Sequence, residues 1–327
     1  MNYFDNKRIL ITGGTGSWGQ TLVKTLLKNS NVNEILCFSR GELQQVLMQR
    51  TFKDTRIKFI IGDIRDYSVV KRATKDINIV FHMAALKHVP VCEDNPQEAI
   101  KTNIDGTTNI INASIENNVD RVIDVSTDKA VEPVNLYGMT KAVGEKLILQ
   151  ANDLTNHTKF ICVRGGNVLG SNGSVVPLFI NQIKNNVPIT ITDKKMTRFF
   201  LTLDDAIGLV LHATEVSKGG EIFVMNMPSF YIKDVAERLI EHYGSVPIEY
   251  IGAKPGEKLD EILISKHEAP ESFIYDENYY VILPTRFPHL RNTYKSFAPF
   301  DQTEFSSQTK IYPTSYIDQL LKKGGFI

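Results

Sequence analysis

The chain has 327 residues, 42% of them hydrophobic, which is enough to bury one large core or two moderate ones. Its 37 basic and 37 acidic residues give zero net charge, which disfavours a nucleic-acid-binding protein because such proteins usually show a basic excess. No apolar run is long enough to cross a membrane, and the first residues lack the pattern of a signal peptide. Cys37, Cys92 and Cys162 are scattered without metal-ligand spacing, so we expect reduced thiols in a cytoplasmic protein and no metal site.

The first predicted element is a short apolar run that ends in glycines. Residues 8–12 predict a strand, and residues 20–27 have the spacing of apolar side chains that is typical of a helix. Between them Gly13, Gly16 and Gly19 form a G-x-x-G-x-x-G pattern. Glycines in such a turn let the backbone approach a pyrophosphate, which lies at the N-terminus of the helix. The unit therefore predicts a dinucleotide-binding site.

The next strands predict how the dinucleotide is recognised. The second, residues 34–38, is followed by Ser39 and Arg40, a hydroxyl and a guanidinium that suit a 2′-phosphate and favour NADP. A carboxylate at this place would favour NAD, and Glu42 keeps that alternative open. The third predicted strand, residues 58–66, contains Asp63, which is placed to accept a hydrogen bond from an adenine amine.

The fourth and fifth predicted strands lead to the rest of the ligand site. The fourth, residues 77–82, runs into Met83, Ala84 and Ala85, where small side chains let the chain pass against the cofactor. The fifth, residues 121–126, ends where open α/β sheets bind their ligands. Strands that alternate with helices over the first half of the chain predict an α/β fold with a doubly wound parallel sheet.

Polar residues that follow the fifth strand carry the strongest chemical signal. Tyr137 and Lys141 stand four residues apart, so a helix would place the phenol and the ammonium on one face. The cation favours the phenolate, so the tyrosine can take a proton from a substrate hydroxyl. Thr127 offers that hydroxyl a second hydrogen bond, and Asp128 and Lys129 add an acid and a possible base. Tyrosine and lysine at this spacing are common in helices, but here a nucleotide-binding unit precedes them.

These features resemble the extended short-chain dehydrogenase/reductase superfamily. Further stretches narrow the resemblance to its inverting UDP-N-acetylglucosamine 4,6-dehydratases, over about residues 3–265. The stretches that carry the resemblance are residues 13–17, 84–90, 126–130, 135–141, 173–177, 196–199 and 255–258.

The resemblance implies a Rossmann fold with a smaller C-terminal substrate-binding part. It assigns residues 1–165 to an NADP-binding domain, which is completed by about residues 200–225, and residues 166–285 to the UDP-sugar-binding part. Residues 286–327 have little periodicity, and we expect them to form an extended tail that packs on the body or on a second subunit.

The resemblance also assigns contacts to individual residues. Those implied to contact the cofactor are Gly13, Thr15, Gly16, Ser17, Trp18, Gly19, Ser39, Arg40, Asp63, Ile64, Met83, Ala84, Ala85, Tyr137 and Lys141. Those implied to face the substrate are Lys87, Asn167, Val175, Thr192, Arg198, Lys254 and Glu257. The chain departs from the family pattern at Gly41 and Gln44, which weakens the NADP prediction, and at Gly165 and Asn172, near the sugar.

The reaction implied by the resemblance is the loss of water across C5 and C6 of the sugar of a UDP-N-acetylhexosamine. Tightly bound NADP, regenerated in each cycle, oxidises C4 and so makes the C5 hydrogen acidic. Tyr137, assisted by Lys141, takes the 4-hydroxyl proton, Lys129 takes the C5 proton, and Asp128 protonates the departing oxygen. A lysine base must be neutral, and we expect the Lys141 and nicotinamide cations, together with burial, to lower the pKa of Lys129.

Two alternatives to the dehydratase stay open. The first is a UDP-sugar 4-epimerase or 4-ketoreductase that uses Tyr137 and Lys141 alone, and whose product does not lose the mass of water. The second is a catalytically silent scaffold that binds NADP, although such proteins commonly lose the tyrosine or the lysine, and this chain keeps both.

The expected partners are a nucleotide sugar and further copies of the chain. Helices near residues 97–117 and 137–151 resemble those that pair in dimers of this superfamily, so we expect a homo-oligomer, a dimer or higher. We expect neither a nucleic-acid partner nor a membrane.

Overall fold

A computed structural model describes residues 2–171, 173–252 and 256–327 of the chain. Its strands are β1 (Arg8–Thr12), β2 (Glu34–Ser39), β3 (Ile57–Ile61), β4 (Ile79–His82), β5 (Arg121–Thr127), β6 (Lys159–Gly165), β7 (Asn167–Val168), β8 (Ile189–Ile191), β9 (Thr197–Leu201), β10 (Ile222–Met225), β11 (Ser229–Tyr231), β12 (Ile248–Tyr250), β13 (Ile262–Ile264), β14 (Ser272–Ile274), β15 (Tyr279–Ile282), β16 (Ala298–Pro299) and β17 (Phe305–Ser306). Its α-helices are α1 (Ser17–Asn29), α2 (Glu42–Phe52), α3 (Tyr67–Ala73), α4 (Val89–Asp94), α5 (Pro96–Ile100), α6 (Gly106–Glu116), α7 (Leu136–Gln150), α8 (Val175–Lys184), α9 (Leu203–Val216), α10 (Ile232–Tyr243), α11 (Pro288–Tyr294) and α12 (Ser315–Lys323).

A large sheet organises the described residues, with strand order β16-β14-β15-β10-β6-β5-β4-β1-β2-β3. Neighbours from β10 to β3 run parallel, whereas β15, β14 and β16 add antiparallel strands beyond β10. The strand order reverses between β1 and β4, because β2 and β3 lie on one side of β1 and the later strands on the other. Doubly wound sheets bind ligands at such a switch point, beyond the carboxyl ends of the strands. The predicted α/β fold with a doubly wound parallel sheet is confirmed.

The five strands predicted for the first half are all present and differ only at their ends. The largest difference is in β3, which was expected within residues 58–66 and ends at Ile61. The chain turns there into α3, whose first backbone N–H groups are capped by Asp66. Its carboxylate accepts hydrogen bonds from the backbone nitrogens of Ser68 at 2.9 Å and Val69 at 3.2 Å.

A second, smaller core lies beside the sheet. It contains buried side chains of α8, α10, α12, β8 and β9, among them Phe179, Phe200, Leu239 and Leu321. The parts predicted from the sequence interleave in space, because β10, β14, β15 and β16 join the large sheet and α12 joins the small core. The boundaries predicted after residues 165 and 285 therefore do not separate the two hydrophobic cores, because each core contains residues from both sides of a boundary. The assignment of the UDP-sugar to residues 166–285 stays a prediction.

Residues 286–327 pack on the body, but they are not an extended tail. They contain α11 and α12, and they bury Tyr294, Phe300 and Phe305 in the core of the large sheet. Periodicity failed to predict this packing because Tyr294 and Phe305 lie in elements too short to show a repeat, and Phe300 lies outside any helix or strand. The helix α12 did leave a signal, since Ile317, Leu320 and Leu321 have the spacing of one helical face.

Within the described ranges, no helix combines the length and the apolar character needed to span a bilayer. The same ranges contain no group of three or more His, Cys, Asp or Glu side chains placed to hold a metal ion. The three cysteines are buried, and none of them forms a disulfide.

Candidate active site

A cavity of about 880 Å³ opens at the switch point of the sheet. Its walls come from the turn after β1, the ends of β2, β4, β5 and β6, and the first residue of α8. Predicted site residues that line the cavity are Gly13, Thr15, Gly16, Ser17, Trp18, Gly19, Ser39, Arg40, Asp63, Ile64, Met83, Ala84, Ala85, Lys87, Thr127, Lys129, Tyr137, Asn167 and Val175. Residues predicted for the cofactor, the chemistry and the sugar thus meet in one place.

The turn after β1 has the shape that a dinucleotide requires. Gly13 has φ +69°, a left-handed conformation, and a Cβ atom there would lie 3.0 Å from the backbone nitrogen of Ala84. The two chain segments therefore pass each other closely, and α1 begins at Ser17 with its N-terminus at the cavity. Trp18, the one tryptophan of the chain, also lies on the cavity wall, beside Gly165. The residues present fit a dinucleotide cofactor.

The end of β2 presents one cation and one fixed hydroxyl to the cavity. Arg40 is exposed, while Ser39 Oγ accepts a hydrogen bond at 2.9 Å from the amide of Gln45. Nearby, Asp63 forms a 2.6 Å ion pair with Arg65. Burial of the Asp63 carboxyl opposes ionisation, but the hydrogen bonds from Arg65 outweigh it and hold the pKa of Asp63 below its usual value. Asp63 is therefore ready to accept a hydrogen bond as a carboxylate.

Backbone packing sets the distance between the proposed catalytic groups. Thr127 is the last residue of β5, and Asp128 to Ala130 form a 3₁₀ turn against α7. A Cβ atom at Gly138, in the first turn of α7, would lie 2.1 Å from the carbonyl oxygen of Lys129. Only a glycine allows this approach, so the turn and the helix that carries Tyr137 are held together through their main chains.

Lys141 is not the free cation that the sequence suggested. Its ammonium is 3% exposed and lies 3.1 Å from both carboxylate oxygens of Asp124, a fully buried residue of β5. Burial raises the pKa of Tyr137, and the nearby charges of Lys141 and Lys129 oppose that rise without cancelling it. Lys141 does favour the phenolate, as predicted, but burial of the phenol outweighs it, so the pKa of Tyr137 lies above its usual value.

Lys129 likewise has two carboxylates around its ammonium. Its Nζ lies 3.0 Å from Asp128 Oδ1 and 3.4 Å from Glu261 Oε1, and it donates a 3.4 Å hydrogen bond to Asn167 Oδ1. Burial opposes the charge, but the two carboxylates outweigh burial and raise the pKa of Lys129. The predicted lowering of this pKa is wrong for the protein's own groups, because Lys141 is neutralised by its own partner and the counter-ions of Lys129 were not recognised. Asp128 is fully buried, so the pair is not a surface ion pair.

Arg198, which was predicted to face the substrate, makes its hydrogen bonds within the protein. Arg198 is 7% exposed, is not on the wall of the cavity, and donates hydrogen bonds to the backbone oxygens of Thr197, Leu259 and Lys258 at 2.7, 3.1 and 2.8 Å. Through these contacts Arg198 holds the loop before β13 in place. Its predicted contact with phosphate stays a prediction.

The remaining predicted substrate residues lie in three different settings. Thr192 donates a 2.9 Å hydrogen bond to Glu257 outside the cavity wall. Lys87 stands at the cavity, exposed yet crowded enough that desolvation lowers its pKa. Lys254 lies outside the described residues.

Three buried residues that position the site were missed in the sequence. Asp124 left a signal, because it is an acidic residue inside an otherwise apolar strand. Asn103 lies in a π-helical turn between α5 and α6, where it exchanges hydrogen bonds with Leu86 at 2.8 and 2.9 Å and donates one to Thr140 at 3.0 Å. It ties the loop after β4 to α7. Glu261 left no local signal, since its partners lie far away in the chain.

Comparison with known proteins decides the family. A profile described as "Polysaccharide biosynthesis protein" matches residues 9–283. The chain belongs to this family. An inverting UDP-N-acetylglucosamine 4,6-dehydratase of Campylobacter jejuni is 45% identical over 86% of this chain and 84% of that protein. The predicted relationship to inverting dehydratases of the short-chain dehydrogenase/reductase superfamily is confirmed.

Two further similar proteins have different names. A UDP-glucose 4-epimerase of Rickettsia bellii is 46% identical over 81% of this chain and 80% of that protein. The crystal structure of Pen from Bacillus thuringiensis superimposes with a TM-score of 0.93 at 39% identity, covering 99% of this chain and all of that one. The family member described here is thus an enzyme of the short-chain dehydrogenase/reductase type with a nucleotide cofactor.

Proposed function

We propose that this chain is a UDP-N-acetylglucosamine 4,6-dehydratase that inverts C5. The observation that carries the proposal is the Asp128–Lys129 pair: Lys129 lines the cavity with Thr127 and Tyr137, and the fully buried Asp128 lies behind it in contact with Lys129 and Thr127. Oxidation and reduction at C4 need only a tyrosine that exchanges a proton, whereas loss of water also needs a base at C5 and an acid at the C6 oxygen. The Campylobacter relative supports this assignment through its name.

A bound nicotinamide dinucleotide would supply the oxidation at C4 that makes the C5 hydrogen acidic. Tyr137 would take the proton of the 4-hydroxyl, and Thr127 Oγ1, which donates a 2.9 Å hydrogen bond to Asp128 Oδ1, would orient that hydroxyl. Lys141 and Asp124 would hold the tyrosine end of α7 in place through their 3.1 Å contacts. Closure of the site over a sugar removes water and strengthens each of these interactions.

The Asp128–Lys129 contact can generate both reagents that the elimination needs. One proton that moves across the 3.0 Å between Nζ and Oδ1 turns an ammonium and a carboxylate into an amine and a carboxylic acid. The amine of Lys129 then takes the C5 proton, and the acid of Asp128 gives its proton to the departing C6 oxygen. The elimination restores the original ion pair, so the pair needs no outside proton.

Inversion at C5 requires a second proton donor, on the face of the sugar opposite Lys129. Lys87 is our candidate, because it lines the cavity and its lowered pKa makes its ammonium a better donor near neutral pH. The role of Lys87 depends on the proposed inversion at C5, and the experiment that tests inversion also tests it.

The test of the proposed function is incubation of the purified protein with UDP-N-acetylglucosamine in heavy water without added cofactor. A dehydratase gives a product that has lost the mass of one water and carries deuterium at C5, and nuclear magnetic resonance then reports the configuration at that carbon. The Rickettsia relative favours a second candidate, a UDP-glucose 4-epimerase. That activity would leave the elemental composition unchanged and invert C4, with UDP-glucose as the matched second substrate.

NADP rather than NAD is the proposed cofactor, and Arg40 is the residue that distinguishes them. Arg40→Ala, after removal of bound nucleotide, is expected to weaken NADP binding about 10- to 150-fold, because a charge-assisted hydrogen bond to phosphate contributes about 1.5–3 kcal/mol. NAD binding should change little. Fluorescence of Trp18 measures both affinities, since this lone tryptophan lines the cavity. Glu42→Gln, which alters a nearby exposed carboxylate, is the control. Equal losses for both dinucleotides would contradict the assignment.

We also propose a homo-oligomer that pairs through α5 and α7. Ile100, Met139 and Val143 on these helices are 41%, 47% and 43% exposed, so they offer apolar side chains to a second copy of the chain. A cytoplasmic location stays a prediction.

A further inference from the structure

Glu261 is a buried carboxylate that reaches the proposed base from a distant part of the chain. It lies directly before β13, is 2% exposed, and places Oε1 3.4 Å from Nζ of Lys129. Asp128, the other carboxylate at this ammonium, directly precedes Lys129 in the same turn, so the sequence itself keeps the two residues close. The position of Glu261, in contrast, depends entirely on tertiary structure.

The backbone of Glu261 is held from two sides. Its N–H donates to Ser307 Oγ at 3.0 Å, and its carbonyl accepts from the backbone nitrogen of Ser307 at 2.8 Å. The hydroxyl of Ser307 lies 2.7 Å from Thr197 Oγ1. The neighbouring Arg198 clamps the preceding loop and brings Nε to 3.6 Å from Glu261 Oε1. Such a framework fixes the carboxylate to within a narrow range of positions.

The charges around Glu261 show which interaction its side chain serves. Cationic groups of Lys129, Arg198 and Lys258 face it, and Asp128 is the acidic neighbour. Lys258 donates its Nζ hydrogen bond to the carbonyl of Val131. Oε1 lies between Lys129 and Arg198, whereas Oε2 is buried and has no hydrogen-bond partner among the described residues. A buried carboxylate oxygen without a hydrogen-bond partner lowers the stability of the folded protein. We therefore ask what Glu261 contributes to function in return.

We propose that Glu261 is a positioning residue for Lys129: it holds the ammonium beside the substrate in the resting enzyme and sets the pH above which the Asp128–Lys129 pair loses its shared proton to solvent. The proposal rests on the proposed function for the role of Lys129 in the reaction. Its structural half, that Glu261 stabilises the charged form of Lys129, is independent of any substrate.

The direction of the effect follows from the charges. A carboxylate within about 4–6 Å favours the ammonium, and its removal lowers the pKa of the lysine by about one to three units. In Glu261→Gln the neutral amine of Lys129 therefore forms at lower pH. The pair needs its shared proton to protonate the departing C6 oxygen, so kcat falls where Lys129 has lost that proton to solvent. This alkaline fall of kcat moves to lower pH by a similar amount. The maximal kcat falls, because the amide no longer fixes the amine as tightly and the amine is also a weaker base.

The experiment compares Glu261→Gln, Glu261→Asp and the control Asp260→Asn. Asp260 is the adjacent acidic residue, and its carboxylate accepts a 3.5 Å hydrogen bond from Gln308 rather than contacting Lys129. Two readouts are used: the pH dependence of kcat, and the titration of Lys129 followed by the ¹³Cε resonance that disappears in Lys129→Met. We expect the largest downward shift in Glu261→Gln, a smaller one in Glu261→Asp and none in Asp260→Asn.

An unchanged Lys129 titration in Glu261→Gln, or an equal shift in Asp260→Asn, would overturn the proposal. If Glu261→Gln does not fold, Glu261→Asp decides, since it keeps the charge at a greater distance and an unchanged titration in it counts against the proposal. Failure of the proposed function is recognised separately. In that case the wild-type protein removes no water from the UDP-sugar, while the resonance of Lys129 still reports its carboxylate partner.

Discussion

Lys129→Met is expected to lower the rate of water loss from the UDP-sugar by about 10²–10⁴-fold, the usual contribution of a positioned acid or base. Methionine fills a similar volume but cannot take the C5 proton. It also removes the proton that Asp128 needs in order to act as the acid. Mass spectrometry should find the substrate unchanged in mass, and nuclear magnetic resonance in heavy water should find no deuterium at C5. The Michaelis constant should change much less than kcat.

Two matched variants make the result interpretable. Lys87→Met removes the other lysine of the cavity and, in our mechanism, still permits elimination while it impairs delivery of the proton that inverts C5. Thermal unfolding of Lys129→Met is measured alongside, because the variant leaves Asp128 and Glu261 without their shared cation. Turnover at the wild-type rate in Lys129→Met would remove this lysine from the mechanism and make Lys87 the next candidate base.

Arg164→Met is expected to reduce the free energy of unfolding by about 3–5 kcal/mol, the cost of removing one partner from a buried ion pair. The Arg164 guanidinium is 3% exposed and donates two hydrogen bonds to Glu145, at 2.9 and 2.8 Å, and two to Glu268, at 3.0 and 2.8 Å. Without it two carboxylates remain that face each other with no cation. Denaturant unfolding followed by circular dichroism measures the loss.

The exposed ion pair between Arg286 and Asp153 provides the comparison for that variant. Arg286→Met should change stability by no more than about 1 kcal/mol, because water screens and solvates this pair. Adding Glu145→Gln to Arg164→Met should recover part of the loss, since it removes one uncompensated charge. If the two arginine variants were equally stable, the buried cluster would have no special role in holding β6 to α7 and to the segment that contains Glu268.

The nucleotide half of the site could be predicted because its chemistry is local in sequence. Gly13, Gly16 and Gly19 follow a strand and precede a helix, and this order alone predicts where a pyrophosphate binds. The same holds for Tyr137 and Lys141, whose spacing on one helix is sufficient to place them on one face.

The electrostatics of the site could not be predicted in this way. The spacing of Tyr137 and Lys141 reveals neither Asp124, which pairs with the Lys141 ammonium, nor the burial that raises the pKa of the Tyr137 phenol. Likewise, the two carboxylates that contact Lys129 differ in how far they lie from it in the sequence. Asp128 is visible as a neighbour in sequence, whereas Glu261 is brought there by a fold that no local pattern encodes. Burial and counter-ions decide the sign of a pKa shift, so the sequence predicted which groups lie together but not their ionisation.

The contact of Ser307 with Glu261 also bears on how the enzyme matures during synthesis. The parallel strands β1 to β6 and the glycine turn emerge from the ribosome well before residue 307 exists, and folding of large proteins proceeds region by region in this direction. The glycine turn after β1 is therefore synthesised before Ser307, which holds the backbone of Glu261 beside Lys129. In a newly made chain, the residues that we propose to contact the dinucleotide are therefore all present before the residue that fixes the carboxylate beside the proposed base.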